Sequence, residues 1–390
     1  MPSFADLGID PVFIEKLARR NITGPTKIQE MVIPALSAGK SLLFRSATGT
    51  GKTFAYLIPL FQAPASGESR PEILICAPTY ELCAQIKGEA GFLLEGGPRR
   101  VDLVIGSVPL GRQIEGLKKN KPAVIVGNPG RVLLLARMGK LNLGAVRFLV
   151  LDEGDRLVSD EMYGETRDLA ALLNQNRLTA ACSATLSPRS RERLLPLAGG
   201  AEFIEETGVG DVYRTNIEHW AFFSDDRRKI RTLRSFLHAA KVRKALVFTA
   251  RGGQVGNILS QLQFHQIAAA GLYGDLDRGN RKQALDDFRA DRVRVLVSSD
   301  LAARGLDIAG LSHVIALDVP PGGEAYIHRS GRTGRAGRRG FMVTIGNAEE
   351  LPRLAAIEKK LGIVVYPKVL HGGIIAAPEI AGDGETGRFN

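Results

Sequence analysis

Short β-branched or apolar runs recur along this chain, each parted from the next by a segment long enough for a helix, and that alternation limits what it can fold into. Strands are expected at 41–45, 73–77, 101–105, 123–127, 147–151 and 178–183, and again at 217–222, 245–249, 293–298, 313–317 and 341–345. Strands alternating with helices read as βαβ units, with the strands parallel in one sheet and the helices on its faces. A chain of 390 residues has room for two such layers, each with its own core. The glycine-containing stretch 207–215 falls between the two sets of strands and is the expected linker. The fold class is therefore α/β: two domains, 1–206 and 216–372, each a mainly parallel sheet flanked by helices, with a flexible tail at 373–390.

Between the first expected strand and an apolar helical pattern lies Ser46-Ala47-Thr48-Gly49-Thr50-Gly51-Lys52-Thr53. A strand before and a helix after are the context that a phosphate-binding loop requires. Gly49 and Gly51 let the backbone wrap tightly, so that N–H groups converge on phosphate oxygens at the helix N-terminus. Lys52 would reach the β- and γ-phosphates, and the Thr53 hydroxyl suits Mg²⁺. The competing reading is a glycine-rich turn with an incidental lysine. Further on, Phe148-Leu149-Val150-Leu151 runs into Asp152-Glu153-Gly154-Asp155. Ligands of open α/β sheets sit beyond the carboxyl ends of the strands, which brings these carboxylates toward the phosphates. Asp152 would hold Mg²⁺, largely through water, with Glu153 beside it placed to orient and deprotonate an attacking water.

Composition narrows the partners. The formal net charge is +11, and Lys and Arg are in excess in both halves, so a phosphate-bearing partner could touch both domains. The bland alternative is that the excess serves solubility. The three cysteines, Cys76, Cys83 and Cys182, are too few for a disulfide framework or a four-cysteine zinc site, and they read as buried residues of a reducing, cytoplasmic protein. No apolar run is long enough for a membrane span.

With these elements in place, the order of motifs from Phe4 to Gly362 resembles the DEAD-box RNA helicase family. The resemblance implies two RecA-like domains, ATP and Mg²⁺ as cofactors, and RNA as partner, bound as a single strand or short duplex with little regard to sequence. Phe4 and Pro25-Thr26-Lys27-Ile28-Gln29 look like the Q motif, in which Gln29 would bond the adenine edge, Phe4 would stack on the base and Lys27 lies alongside. Ser46 to Thr53 follows the family's form of the phosphate loop, whose first position is not glycine. Ser183-Ala184-Thr185 is similar to the motif that, with Asp155, couples the two domains. Ser299-Asp300-Leu301-Ala302-Ala303-Arg304-Gly305-Leu306-Asp307 resembles motif V, with Gly305 and Asp307 near ATP. His328-Arg329-Ser330-Gly331-Arg332-Thr333-Gly334-Arg335 resembles motif VI. There Arg335 would be the arginine finger, Arg332 a second γ-phosphate contact, and His328 and Arg329 part of the coupling between domains. By the same resemblance, Pro78, Thr79, Gly106, Pro129, Gly130, Arg131, Thr249 and Ser299 would grip the sugar–phosphate chain. Contacts of that kind hold a strand without reading its bases.

The sequence departs from the family at several points. Gly154 replaces the alanine of Asp-Glu-Ala-Asp, which is expected to loosen that turn. Tyr80 stands where an arginine is usual, and packing against the domain is the favoured role for its ring. Cys83, Ser107, Asn128 and Arg278 also differ from the common residues. The implied activity is an ATP-dependent RNA helicase acting as a monomer, either a minimal, non-specific core or one that depends on a protein partner for targeting. An ATP-gated RNA clamp and a DNA-directed helicase are the alternatives.

Overall fold

The computed structural model describes residues 2–47, 49–65, 67, 70–206, 216–250, 252–273, 276, 278–300, 308, 310–334 and 338–378. The chain divides into two compact units, Met1–Thr207 and Gly208–Asn390. The first is built on β1 (Leu42–Arg45), β2 (Ile73–Cys76), β3 (Val101–Val104), β4 (Val124–Gly127), β5 (Phe148–Asp152), β6 (Leu178–Ser183) and β7 (Glu202–Glu205). They form one sheet in the order β3-β4-β2-β5-β6-β1-β7, and every pairing is parallel.

Strand alternation builds the core on both faces. Leu42, Phe44, Ile73, Ile75, Val124, Val126, Phe148 and Val150 join one buried cluster. Their neighbours Leu43, Leu74, Cys76, Ile125, Leu149 and Leu151 join the cluster on the other face. A strand buried on both sides reads as a continuous apolar run, which is why 73–77 and 147–151 stand out in the sequence. Because all strands point the same way, the loops that follow β1, β2, β3, β4, β5 and β6 emerge at a single edge. Those loops carry the phosphate loop, Pro78-Thr79, Gly106, Pro129-Gly130, Glu153 and Ala184-Thr185.

The second unit contains β8 (Ile217–Phe223), β9 (Ala245–Thr249), β10 (Ala269–Leu272), β11 (Val295–Ser299), β12 (His313–Ala316), β13 (Gly340–Gly346), β14 (Val365–His371) and β15 (Ile374–Ala376). The order is β10-β11-β9-β12-β13-β8-β14-β15, parallel except where β14 meets β15. Phe222, Val247, Val297, Ile315 and Val343 share one buried cluster.

Four strands went unexpected. β7 reads Glu-Phe-Ile-Glu and lies at a sheet edge, and β10 reads Ala-Ala-Gly-Leu, so neither has the β-branched run that marks a strand. The hairpin β14–β15 corrects the expected tail: residues 374–376 are a paired strand. His371 faces Ile374 across Gly372 and Gly373, at φ 57° and 79°. Two left-handed residues between paired strands make a two-residue hairpin, and glycine takes that conformation freely. The expected linker 207–215 and the end of the tail, 379–390, lie outside the described residues. Among the described residues no helix is long and apolar enough to cross a membrane.

Candidate active site

The phosphate loop leaves β1 at Ser46, whose backbone N–H donates to the Ser183 carbonyl on β6 at 3.1 Å. Gly49 and Gly51 have φ of 82° and 90°, the left-handed region that their missing side chains permit. Gly51 is held by contact as well, because a Cβ there would lie 2.5 Å from Gln29 Nε2. Helix Lys52–Gln62 begins directly after it, aiming the N–H groups of its first turn at the loop. The Ser46 hydroxyl lies 2.5 Å from Thr50 Oγ1 and donates to the Glu206 carboxylate, while Thr50 donates to the Ala47 carbonyl at 2.8 Å. Lys52 Nζ folds back onto the Ser46 and Ala47 carbonyls at 2.8 and 2.7 Å. Thr48 lies outside the described residues.

Gln29 is 2% exposed and joins two elements. Its Oε1 accepts from Thr26 N at 3.0 Å, capping helix Lys27–Ser37, and its Nε2 donates to the Gly51 carbonyl at 3.1 Å. The Q-motif helix is thereby tied to the phosphate loop. Lys27 is exposed on the first turn of that helix. Phe4, also 2% exposed, packs in the core with Ile9 and Leu17, and so offers little of the open ring face that stacking on a base would use.

Asp152 ends β5 and is 4% exposed. Its Oδ1 accepts from Glu153 N at 2.8 Å and from Cys182 Sγ at 3.2 Å, and its Oδ2 accepts from the Tyr56 hydroxyl at 2.8 Å. Glu153 follows at φ 49°, ψ 50°, a left-handed conformation that is uncommon for a residue with a side chain and that recurs at functional sites. Gly154 differs from expectation. It does not loosen the turn: it opens helix Gly154–Leu157, and a Cβ there would sit 3.2 Å from both Leu194 methyls. Glycine fits because Leu194 packs against it. Asp155 Oδ2 accepts from the Thr185 hydroxyl at 2.5 Å, and Thr185 N donates to the Ser183 hydroxyl at 3.2 Å. Among the described residues no cluster of three or more His, Cys, Asp or Glu forms a cage for a metal. The hard oxygens of Thr53, Asp152 and Glu153 suit Mg²⁺, which is commonly bound by one or two carboxylates together with substrate phosphates and water.

Sequence reading missed Tyr56 and Cys182. Tyr56 lies three residues after Thr53 on the same helix face, a spacing that could have flagged it. Cys182 is the register partner of Asp152 across β5 and β6, which no local pattern reveals.

At the candidate RNA face, Thr79 caps helix Tyr80–Leu94, its hydroxyl accepting from Leu82 N at 3.3 Å. Tyr80 opens that helix and is 37% exposed. Pro129 and Gly130 open helix Pro129–Arg137, and the Glu165 carboxylate lies where a Gly130 side chain would be. Arg131 is engaged with its own chain: Nη2 donates to the Gly106 carbonyl at 2.6 Å and Nη1 to the Val108 carbonyl at 3.1 Å. In this structure it braces the loop that carries Gly106. Tyr80→Arg adds a cation at an exposed position, so it is expected to steepen the salt dependence of single-stranded RNA binding by about 0.7 in log K against log salt. A salt titration followed by fluorescence anisotropy checks this; an unchanged slope places Tyr80 away from the RNA.

In the second unit Arg329 is 2% exposed and fully used. Its Nε and Nη2 donate to the two carboxylate oxygens of Asp300 at 2.6 and 2.5 Å, and Nη1 donates to the Asp318 carbonyl at 2.8 Å. Motifs V and VI meet in this two-pronged pair. Arg332 is 6% exposed, and its Nε donates to the His328 carbonyl at 3.2 Å. Thr249 corrects another expectation: it is fully buried, and its hydroxyl donates to Asp318 Oδ2 at 3.2 Å, so it does not face RNA. Ser299 ends β11 and is partly exposed. Gly305, Asp307 and Arg335 lie outside the described residues.

Two family models match the chain, "DEAD/DEAH box helicase" over residues 26–194 and "Helicase conserved C-terminal domain" over 228–337. A curated relative, the DEAD-box ATP-dependent RNA helicase CshC of Bacillus cereus, is 35% identical over 348 residues, 89% of this chain and 88% of that one. The chain belongs to the DEAD-box helicase family. Among solved structures, this DEAD-box chain is similar to a point variant of Saccharomyces cerevisiae Dbp5 bound to RNA and ADP BeF3. The TM-score is 0.85 at 25% identity, over 94% of this chain and 96% of that one. It is also similar to a DEAD box protein from Methanococcus jannaschii, with a TM-score of 0.55 at 27% identity, over 94% and 98% of the two chains. The two parallel sheets of this DEAD-box chain are RecA-like domains.

Proposed function

We propose that this chain is an ATP-dependent RNA helicase, which hydrolyses ATP in response to RNA and uses the cycle to open short duplexes or remodel RNA–protein complexes. The observation that carries the reading is the meeting of Lys52, Thr53, Asp152 and Glu153 at one edge of a parallel sheet, in a chain of this family. In the proposed cycle the Lys52 ammonium exchanges the Ser46 and Ala47 carbonyls for phosphate oxygens. Backbone N–H groups of Gly49, Thr50 and Gly51, with Ser46, Ala47 and Thr48 shaping the loop, cradle the chain of phosphates. Gln29 reads the adenine edge from its post against Gly51, with Phe4 and Lys27 beside it. Glu153 orients the attacking water and takes its proton, while Arg332 and Arg335 hold negative charge that develops on the γ-phosphate. Gly305 and Asp307 complete the nucleotide contacts. Thr53 and Asp152, with Glu153, would hold Mg²⁺ largely through water; bound there, the metal neutralises phosphate oxygens.

Asp155, Ser183, Thr185, His328 and Arg329 couple the two units in this reading. Pro78, Thr79, Gly106, Pro129, Gly130 and Ser299 approach the RNA backbone, so affinity falls with salt and tolerates sequence. The protein acts as a monomer in the cytoplasm, a compartment that suits three free, buried cysteines. The test is steady-state ATP hydrolysis with and without single-stranded RNA, beside DNA of the same sequence. RNA is expected to stimulate turnover by about tenfold or more, lowering the barrier by at least about 1.4 kcal/mol, and DNA far less. Turnover that ignores RNA would sink the reading.

A further inference from the structure

A hydroxyl that neither the motifs nor the proposed cycle uses is bonded to Asp152, one of the side chains assigned to Mg²⁺. Tyr56 lies on helix Lys52–Gln62, one turn beyond Thr53, and is fully buried. Its O–H donates to Asp152 Oδ2 at 2.8 Å. Asp152 Oδ1 is held by Cys182 Sγ at 3.2 Å and by Glu153 N at 2.8 Å.

We propose that Tyr56, assisted by Cys182, is a positioning residue that sets the Asp152 carboxylate for Mg²⁺ before nucleotide arrives. The inference rests on the proposed ATP site and adds to it two residues that never touch the phosphates. Asp152, gripped at both oxygens, cannot rotate between useful and useless orientations. A carboxylate left to find its own rotamer would have to be ordered when the metal binds, and that cost would appear as weaker Mg²⁺ affinity.

The test is a fluorescence titration of the full-length protein with mant-ADP, first in EDTA and then with increasing Mg²⁺. Tyr56→Phe keeps the ring and removes only the hydroxyl that donates to Asp152. Affinity in EDTA is expected to match the wild type, while the Mg²⁺ concentration giving half the metal-dependent signal rises by about 10–100-fold, as for partners that orient metal ligands. Cys182→Ala is expected to shift it in the same direction and Cys182→Ser to restore it, since serine still donates. This second pair decides the matter should Tyr56→Phe melt early. A half-saturating Mg²⁺ within twofold of the wild type in both Tyr56→Phe and Cys182→Ala overturns the inference. A wild-type protein that binds no mant-ADP at all overturns the ATP-site reading instead, so the two failures are distinct.

Discussion

Glu153→Gln is expected to stop ATP turnover and to leave nucleotide binding in place. The exchange removes a proton acceptor and little else, since glutamine has nearly the same shape and can hold the same φ of 49°. The phosphate loop, Lys52 and Asp152 keep their partners. General-base catalysis contributes about 10²–10⁴-fold, so turnover is expected to fall by that factor while mant-ATP affinity stays within about threefold. Because ATP is then retained, the variant is also expected to hold RNA longer in the presence of ATP than the wild type does. Single-turnover hydrolysis beside an RNA dissociation assay reads both quantities. Turnover within about tenfold of wild type, roughly 1.4 kcal/mol in the barrier, removes Glu153 from the role of base.

Arg335→Ala in the full chain is expected to lower turnover by about 10³–10⁵, the range for loss of an arginine finger. ATP affinity should change little, because an arginine that meets charge developing in the transition state contributes little to the ground state. Arg332→Ala should act on the same step, but Arg332 is buried and bonded to the His328 carbonyl, so its loss also disturbs the turn between them. Arg335 is therefore the cleaner test. Stopped-flow measurement of kcat and of ATP affinity separates the two effects. A variant that loses affinity and keeps kcat would make Arg335 a binding residue.

The phosphate loop and the acidic turn were legible because each is contiguous and each follows a strand recognisable as an apolar run. The span 178–183 was expected and observed with the same limits. Roles set by register were not legible. Tyr56, Asp152 and Cys182 come from three separate segments, and only the pairing of β5 with β6 brings Cys182 opposite Asp152. Thr249 looked like a strand-end hydroxyl free for RNA, yet Asp318, far along the chain, takes it. The hairpin at Gly372-Gly373 carried a readable signal, two glycines between strand-like runs, and was missed because the motif order ends before it.

The ion pair between Arg329 and Asp300 has an evolutionary consequence. Arg329 is almost wholly enclosed whereas the Asp300 carboxylate is partly exposed, so the two positions are unequal. Replacing Asp300 leaves a buried guanidinium without its counterion, a loss of about 3–5 kcal/mol. A domain with the usual margin of about 5–15 kcal/mol would spend much of its reserve on that one step. Asp300 cannot drift while Arg329 stays, and two segments 29 positions apart are thereby tied in inheritance.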